Sequence, residues 1–203
     1  MEKNPGFPRL SESLNNTLLR LGIDYLDMYL LHWRGSIPLE RTIYDLENLV
    51  DKGKIRSWGV SNFDTSDILA LKHTTRGGNC AANEVLYNIA SRGIEYSLLP
   101  LQNKLELPLI AYAPTDQGDS RGFGLLSNKQ LIELAYNKNC TIYQLMLAWV
   151  IRNGNTVAIP QTSNPEHMEQ NMRATDIELT NSEKELINSI SPVPHRKIRL
   201  DII

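Results

Sequence analysis

The chain has 203 residues, 41% of them hydrophobic and 22% charged, with a formal net charge of −2. That length suits one domain with a sizeable core, and the charge balance excludes the field by which a protein grips nucleic acid or an anionic membrane. The two cysteines, Cys80 and Cys140, fall in no ligand spacing, and no run nears the roughly 20 apolar residues of a membrane span, so a cytoplasmic protein with reduced thiols and no membrane attachment is expected.

The first residues, Met1 to Gly6, lack the apolar segment of a secretory signal. From Ser11 to Gly22, Leu14, Leu18 and Leu21 recur at helical spacing, and Gly22 stops the helix. Asp27-Met28-Tyr29-Leu30-Leu31-His32-Trp33 is a short apolar run, the pattern of a strand buried on both faces of a parallel sheet. An imidazole stands at its carboxyl end. Ile43, Leu46, Leu49 and Val50 stripe a second helix, closed by Gly53. Ile55 to Val60 is the next strand, followed by Ser61-Asn62-Phe63 and a short helix capped by Asp64. Cys80 to Val85 forms a weaker strand ending in polar residues, then a helix is expected around Glu95 to Leu105 and a strand over Leu107 to Tyr112. Gly118 to Gly124 is a glycine- and charge-rich loop. Two helices follow, near Asn128–Asn137 and Ile142–Asn153, and Thr156 to Pro160 is the last strand. Asn164 caps a helix with Pro165 at its first position, Asn181 opens a final helix, and the tail from Ser191 is irregular.

Five strand–helix units alternate without an interdomain linker, which implies one domain, a parallel sheet and right-handed crossovers. In a barrel or doubly wound sheet, His32-Trp33, Ser61-Asn62, Asn83-Glu84, Tyr112 and Gln161-Thr162 gather at the carboxyl rim, where such folds place chemistry. Each has a plainer reading alone. His32 can simply end a strand, Ser61-Asn62 can be a helix-capping turn, Tyr112 can pack, and Asn83-Glu84 can be solvated. Their coincidence points to a ligand site. The helix start after Ile159-Pro160 either holds a phosphate on its free N–H groups or is an ordinary capped terminus. No metal site is expected.

Four stretches together resemble the aldo-keto reductase family. They are Leu18 to Trp33, Gly53 to Phe63, Ala111-Tyr112-Ala113-Pro114, and Ile159-Pro160 with the helix after it, in matching order over about Ser11 to Ser191. The resemblance implies a parallel (β/α) barrel of TIM type, a nicotinamide cofactor (NADP or NAD) and reduction of small aldehydes or ketones by hydride transfer. It implies that His32 polarises the substrate carbonyl, that Ser61 and Asn62 bond the nicotinamide carboxamide, and that Tyr112 stacks on its ring. Glu84 would sit beside the carboxamide, and residues from Gln161 to Asn171, including Thr162, Ser163 and His167, would hold the adenosine end.

The chain also departs from the family pattern. The family's tyrosine general acid, with its lysine and aspartate, precedes the histidine, and those positions have no counterpart here. Three strands would precede the one ending at His32, so the expected barrel is incomplete, five units of eight within residues 1–203. Glutamine is usual at Glu84, lysine at Gln161 and arginine at His167, so the case for NADP is weakened. Weak or absent turnover is therefore expected. The alternatives are a non-catalytic remnant or binding module, or half of a complemented barrel whose open edges a second copy covers.

Overall fold

The computed structural model describes residues 10–116 and 124–203, which form two compact units divided between Ala82 and Asn83. Most of the glycine-rich loop expected at Gly118 to Gly124 lies outside the described residues.

In the first unit, helix α1 (Leu10–Leu21) buries Leu14 and Leu18 and ends at Gly22, whose φ of 67° suits the left-handed turn there. Strand β1 (Leu26–Leu31) pairs in parallel with β2 (Ile55–Ser61), with Tyr29 opposite Trp58 and Leu31 opposite Val60. Helix α2 (Leu39–Asp51) joins them and buries Ile43, Leu46 and Leu49 as its periodicity predicts. It also buries Glu47, which accepts from Trp58 Nε1 at 2.7 Å, from Asn79 Nδ2 at 3.0 Å and from Arg76 Nε at 3.1 Å. A buried carboxylate needs such partners, and this one fixes α2 against β2. At Gly59 a Cβ would come within 2.7 Å of both the Ala82 carbonyl and Leu30, so only glycine fits. Helix α3 (Thr65–Lys72) opens on a reciprocal cap between Asp64 and Asp67.

One expectation fails in this unit. β1 is not buried on both faces: Asp27 and Met28 are exposed and its other residues are half-buried. The apolar run is a sound strand signal, but burial depends on what lies over each face, and among the described residues β1 hydrogen-bonds to β2 alone.

The second unit contains β3 (Asn83–Leu86), α4 (Leu98–Lys104), β4 (Leu109–Tyr112), α5 (Lys129–Asn137), α6 (Ile142–Ile151), β5 (Thr156–Ala158), α7 (Pro165–Arg173) and α8 (Asn181–Ile190). β3 pairs in parallel with β4, and β4 with β5. Asn83, Val85, Leu109 and Ala111 are buried, while the alternate residues Glu84, Ile110 and Tyr112 are half-buried. Helix α6 buries an unbroken run from Gln144 to Val150. The expected helix at Glu95 splits into a 3-10 turn (Gly93–Tyr96) and α4. With five parallel strands among the described residues, the class is the expected α/β one.

Candidate active site

At the carboxyl end of the first unit's strands, His32 follows β1 directly, Ser61 is the last residue of β2, and Asn62 comes next with a left-handed φ of 58°. Asparagine tolerates that conformation better than other branched side chains. The turn aims the Asn62 amide back across the strand ends, where Nδ2 donates to the His32 carbonyl at 3.3 Å and to Ser61 Oγ at 3.1 Å. Three residues nominated from two separate strand ends are thus brought together. Ser61 is buried and Asn62 half-buried, whereas His32 is exposed. The imidazole leans on Trp33, with ring centroids 5.3 Å apart at 46°. Arg34 pairs with Asp67 and ties the following loop to α3. An exposed imidazole can donate to a carbonyl oxygen, and a neighbouring amide and hydroxyl can pair with a carboxamide.

In the second unit, Glu84 is the second residue of β3 and faces Ile110 in register, so the polar pair Asn83-Glu84 opens the strand instead of ending it. Sequence alone mistook the boundary because Cys80-Ala81-Ala82 is apolar and extended while Val85 and Leu86 carry the strand onward. Asn83 turns to Gln102 of α4, donating from Nδ2 at 3.1 Å. By strand alternation Glu84, Ile110 and Tyr112 lie on the other face, away from α4. Tyr112 ends β4, as expected, with its ring half-buried.

Beyond β5, Gln161 and Ser163 are exposed and Thr162 is half-buried. Thr162 Oγ1 accepts from the Asn164 amide at 3.1 Å, and Asn164 Oδ1 caps α7 by accepting from the Glu166 amide at 2.9 Å. His167 is exposed on the first turn of α7 and Asn171 half-buried on its last. From Ile159 to Met172 there is no lysine or arginine. Arg173, the next cation, pairs with Glu169 at 2.5 Å.

Sequence reasoning missed a buried charged cluster in this unit. Glu95 receives Tyr87 Oη at 2.7 Å, Arg92 at 2.7 and 3.1 Å, and Arg152 at 3.1 Å. The Arg152 guanidinium lies 3.7 Å over the Trp149 ring, with Arg92 5.0 Å from the same ring. Burial opposes ionisation of Glu95, but hydrogen bonds from Arg92 and Tyr87 and the charges of both arginines outweigh it, holding the carboxyl below its ordinary range. Only the three-residue spacing of Arg92 and Glu95 could have hinted at the cluster. Burial also pushes the Cys80 thiol up to about 11. Among the described residues no group of three or more His, Cys, Asp or Glu could hold a metal, and no helix is long and apolar enough to cross a membrane.

A family model described as "Aldo/keto reductase family" matches residues 7–192. Methylglyoxal reductase YeaE of Escherichia coli (strain K12) is 40% identical over 200 residues, covering 98% of this chain and 70% of that protein. Aldo/keto reductase slr0942 of Synechocystis is 34% identical over 197 residues, covering 84% of this chain and 59% of that protein. A Klebsiella pneumoniae aldo-keto reductase solved in complex with NADPH is similar at 48% identity with a TM-score of 0.94, over 96% of this chain and 68% of that one. A second Klebsiella pneumoniae structure, with NADP and acetate, gives 47% identity and a TM-score of 0.94 over 98% and 70% of the two chains. These matches bear out the TIM-type barrel class, and the chain spans 59 to 70% of the length of the proteins just named.

Proposed function

The chain belongs to the aldo/keto reductase family, and from that premise we propose that its residues serve NAD(P)H-dependent reduction of small aldehydes and ketones. One observation carries the proposal: the Asn62 side chain ties the backbone carbonyl of His32 to the Ser61 hydroxyl at the strand ends. The donor set suits a nicotinamide. The Asn62 amide and Ser61 hydroxyl complement a carboxamide, Tyr112 offers a half-buried aromatic ring, and Thr162, Ser163 and Asn171 offer polar groups to the adenosine end. A nicotinamide held by these residues would supply hydride to the carbonyl carbon, and water would supply the proton that turns the resulting alkoxide into the alcohol. His32 would donate a hydrogen bond to the carbonyl oxygen and stabilise the charge that develops there. Glu84 accepts from the carboxamide N–H side but cannot donate to its oxygen. The methylglyoxal reductase named among the relatives supports a small dicarbonyl as substrate.

For turnover by these 203 residues alone we propose a slow reaction. His32 is the one acid–base group that the family pattern assigns here, and a well-placed general acid contributes roughly 10²–10⁴-fold. A binding role without turnover is the second proposal, favoured by the exposed setting of His32. The test is titration with NADH and NADPH by fluorescence, then steady-state reduction of methylglyoxal and of an aromatic aldehyde. Slow turnover that His32→Ala abolishes supports the first proposal. Cofactor binding without turnover supports the second, and no cofactor binding sinks both.

A further inference from the structure

The backbone just after Tyr112 is gripped by side chains that have no part in the roles above. Asn88, only 2% exposed, donates from Nδ2 to the Ala113 carbonyl at 2.9 Å. Its Oδ1 accepts from the amides of Ala90 at 2.9 Å and Ser91 at 2.8 Å. The Ser91 hydroxyl in turn donates to the carboxylate of Asp201, in the C-terminal tail. The tail is fastened to the same loop at further points. Arg92 donates to the Ser191 carbonyl, and the Ser191 hydroxyl donates to the Ile89 carbonyl at 2.5 Å. Ile198 lies so near Gly93 that a Cβ built there would meet it at 2.8 Å.

The grip falls at a point where backbone direction is sensitive. Ala113 has a φ of 46°, in the left-handed region that an alanine leaves readily when nothing holds it. Its carbonyl also accepts from the Asp116 amide at 3.2 Å, and the Tyr112 carbonyl accepts from the Tyr87 amide at 3.4 Å. The Asn88 bond is thus one of two that the Ala113 carbonyl accepts, next to the residue that ends β4.

We propose that Asp201, Ser91 and Asn88 form a positioning relay through which the C-terminal tail sets the backbone at Tyr112 and hence the affinity of its ring for a nicotinamide. The effect on the cofactor rests on the role proposed for Tyr112. The effect on the backbone does not.

Asp201→Asn and Ser91→Ala weaken the relay without touching Tyr112, and Ser91→Thr keeps the hydroxyl. Two measurements decide. In amide hydrogen exchange, Asp201→Asn and Ser91→Ala speed exchange at Asp116 and Tyr87 by about tenfold or more, while the α6 amides stay protected and Ser91→Thr restores the wild-type rate. In NADH titration the same variants raise Kd by about tenfold, the scale expected when a binding group is misplaced by a fraction of an ångström. In a Tyr112→Ala background Asp201→Asn adds nothing further. Unchanged exchange at Asp116 and Tyr87 overturns the relay, as does faster exchange spread through α6, which marks general loosening. Kd values that shift equally with and without Tyr112 overturn its link to the cofactor. If the wild-type chain binds no NADH, the proposed function falls while the exchange data still decide the relay.

Discussion

Glu95 shows how much of one unit can hang on a single carboxylate. Replacing it with alanine leaves the guanidinium groups of Arg92 and Arg152 buried beside Trp149 without their counter-charge, and breaking such a pair costs about 3–5 kcal/mol. Urea unfolding of Glu95→Ala is expected to show a loss of that order. The acid limb of stability follows from the same residue. Its folded pKa lies below the ordinary carboxylate value of about 4.3, so the unfolded chain binds the extra proton between those two values. Glu95 thus contributes fully above the ordinary value, and its contribution drains away as pH falls through the folded one. Unfolding midpoints measured from pH 6 down to pH 3 should fall less steeply for Glu95→Gln than for the wild type. The thiols give a second check. Cys80 is buried with its pKa near 11, while Cys140 is half-buried. A thiol-specific disulfide reagent is therefore expected to modify Cys140 first and Cys80 only on unfolding. Legibility at this scale was uneven. That His32, Ser61 and Asn62 lie together at strand ends could be read because each follows an apolar segment, so position along the strand carried the signal. Arg92 and Arg152 could not be read, because 60 positions of chain separate them and only folding brings both onto Glu95.

Elements with strong local chemistry were the most legible. Helix α6 begins where Thr141 and Gln144 cap each other's backbone amides, with Thr141 Oγ1 accepting at 3.2 Å and Gln144 Oε1 at 2.9 Å. Thr141→Ala should cost about 1 kcal/mol of stability, measured by thermal or urea unfolding, because the first turn loses its acceptor. Asn164 and Pro165 announced the start of α7 in the same way. β3 was less legible, since nothing in Cys80 to Leu86 marks where pairing begins, and the boundary is set by partner strands. The role proposed for helix α7 at the adenosine end also predicts a cofactor preference. That helix's first turn presents Glu166 and His167 and no lysine or arginine. On the adenosine role proposed for α7, no lysine or arginine of its first turn pairs with an additional phosphate, so NADH is expected to bind at least as well as NADPH. His167→Arg should strengthen NADPH by about tenfold, the equivalent of one such bond at 1.5 kcal/mol, and leave NADH nearly unchanged. Equal gains for both cofactors would show that position 167 does not meet the phosphate.

Across the whole molecule, the alternation of strands and helices made the fold class readable, but not which faces would be covered. Leu19 and Leu21 at the end of α1, Ile23 and Tyr25 in the turn after it, and Met28 in β1 stay exposed, although the spacing of Leu21 and the apolar run containing Met28 had pointed inward. Periodicity reports a residue's phase along its own element and says nothing of what lies opposite. On the reading that a second copy covers this strip, sedimentation at micromolar concentration should give a mass above 23.0 kDa. A monodisperse monomer at that concentration counts against it. The three tryptophans have a use that lies outside stability and catalysis. Trp33 is 44% exposed beside His32, Trp58 is buried with its indole N–H on the Glu47 carboxylate in the first unit, and Trp149 is buried against two guanidinium groups in the second. Each therefore emits from a different environment. Iodide should quench Trp33 alone in the native state, so the chain carries one optical label beside His32 and one inside each unit, with no dye attached.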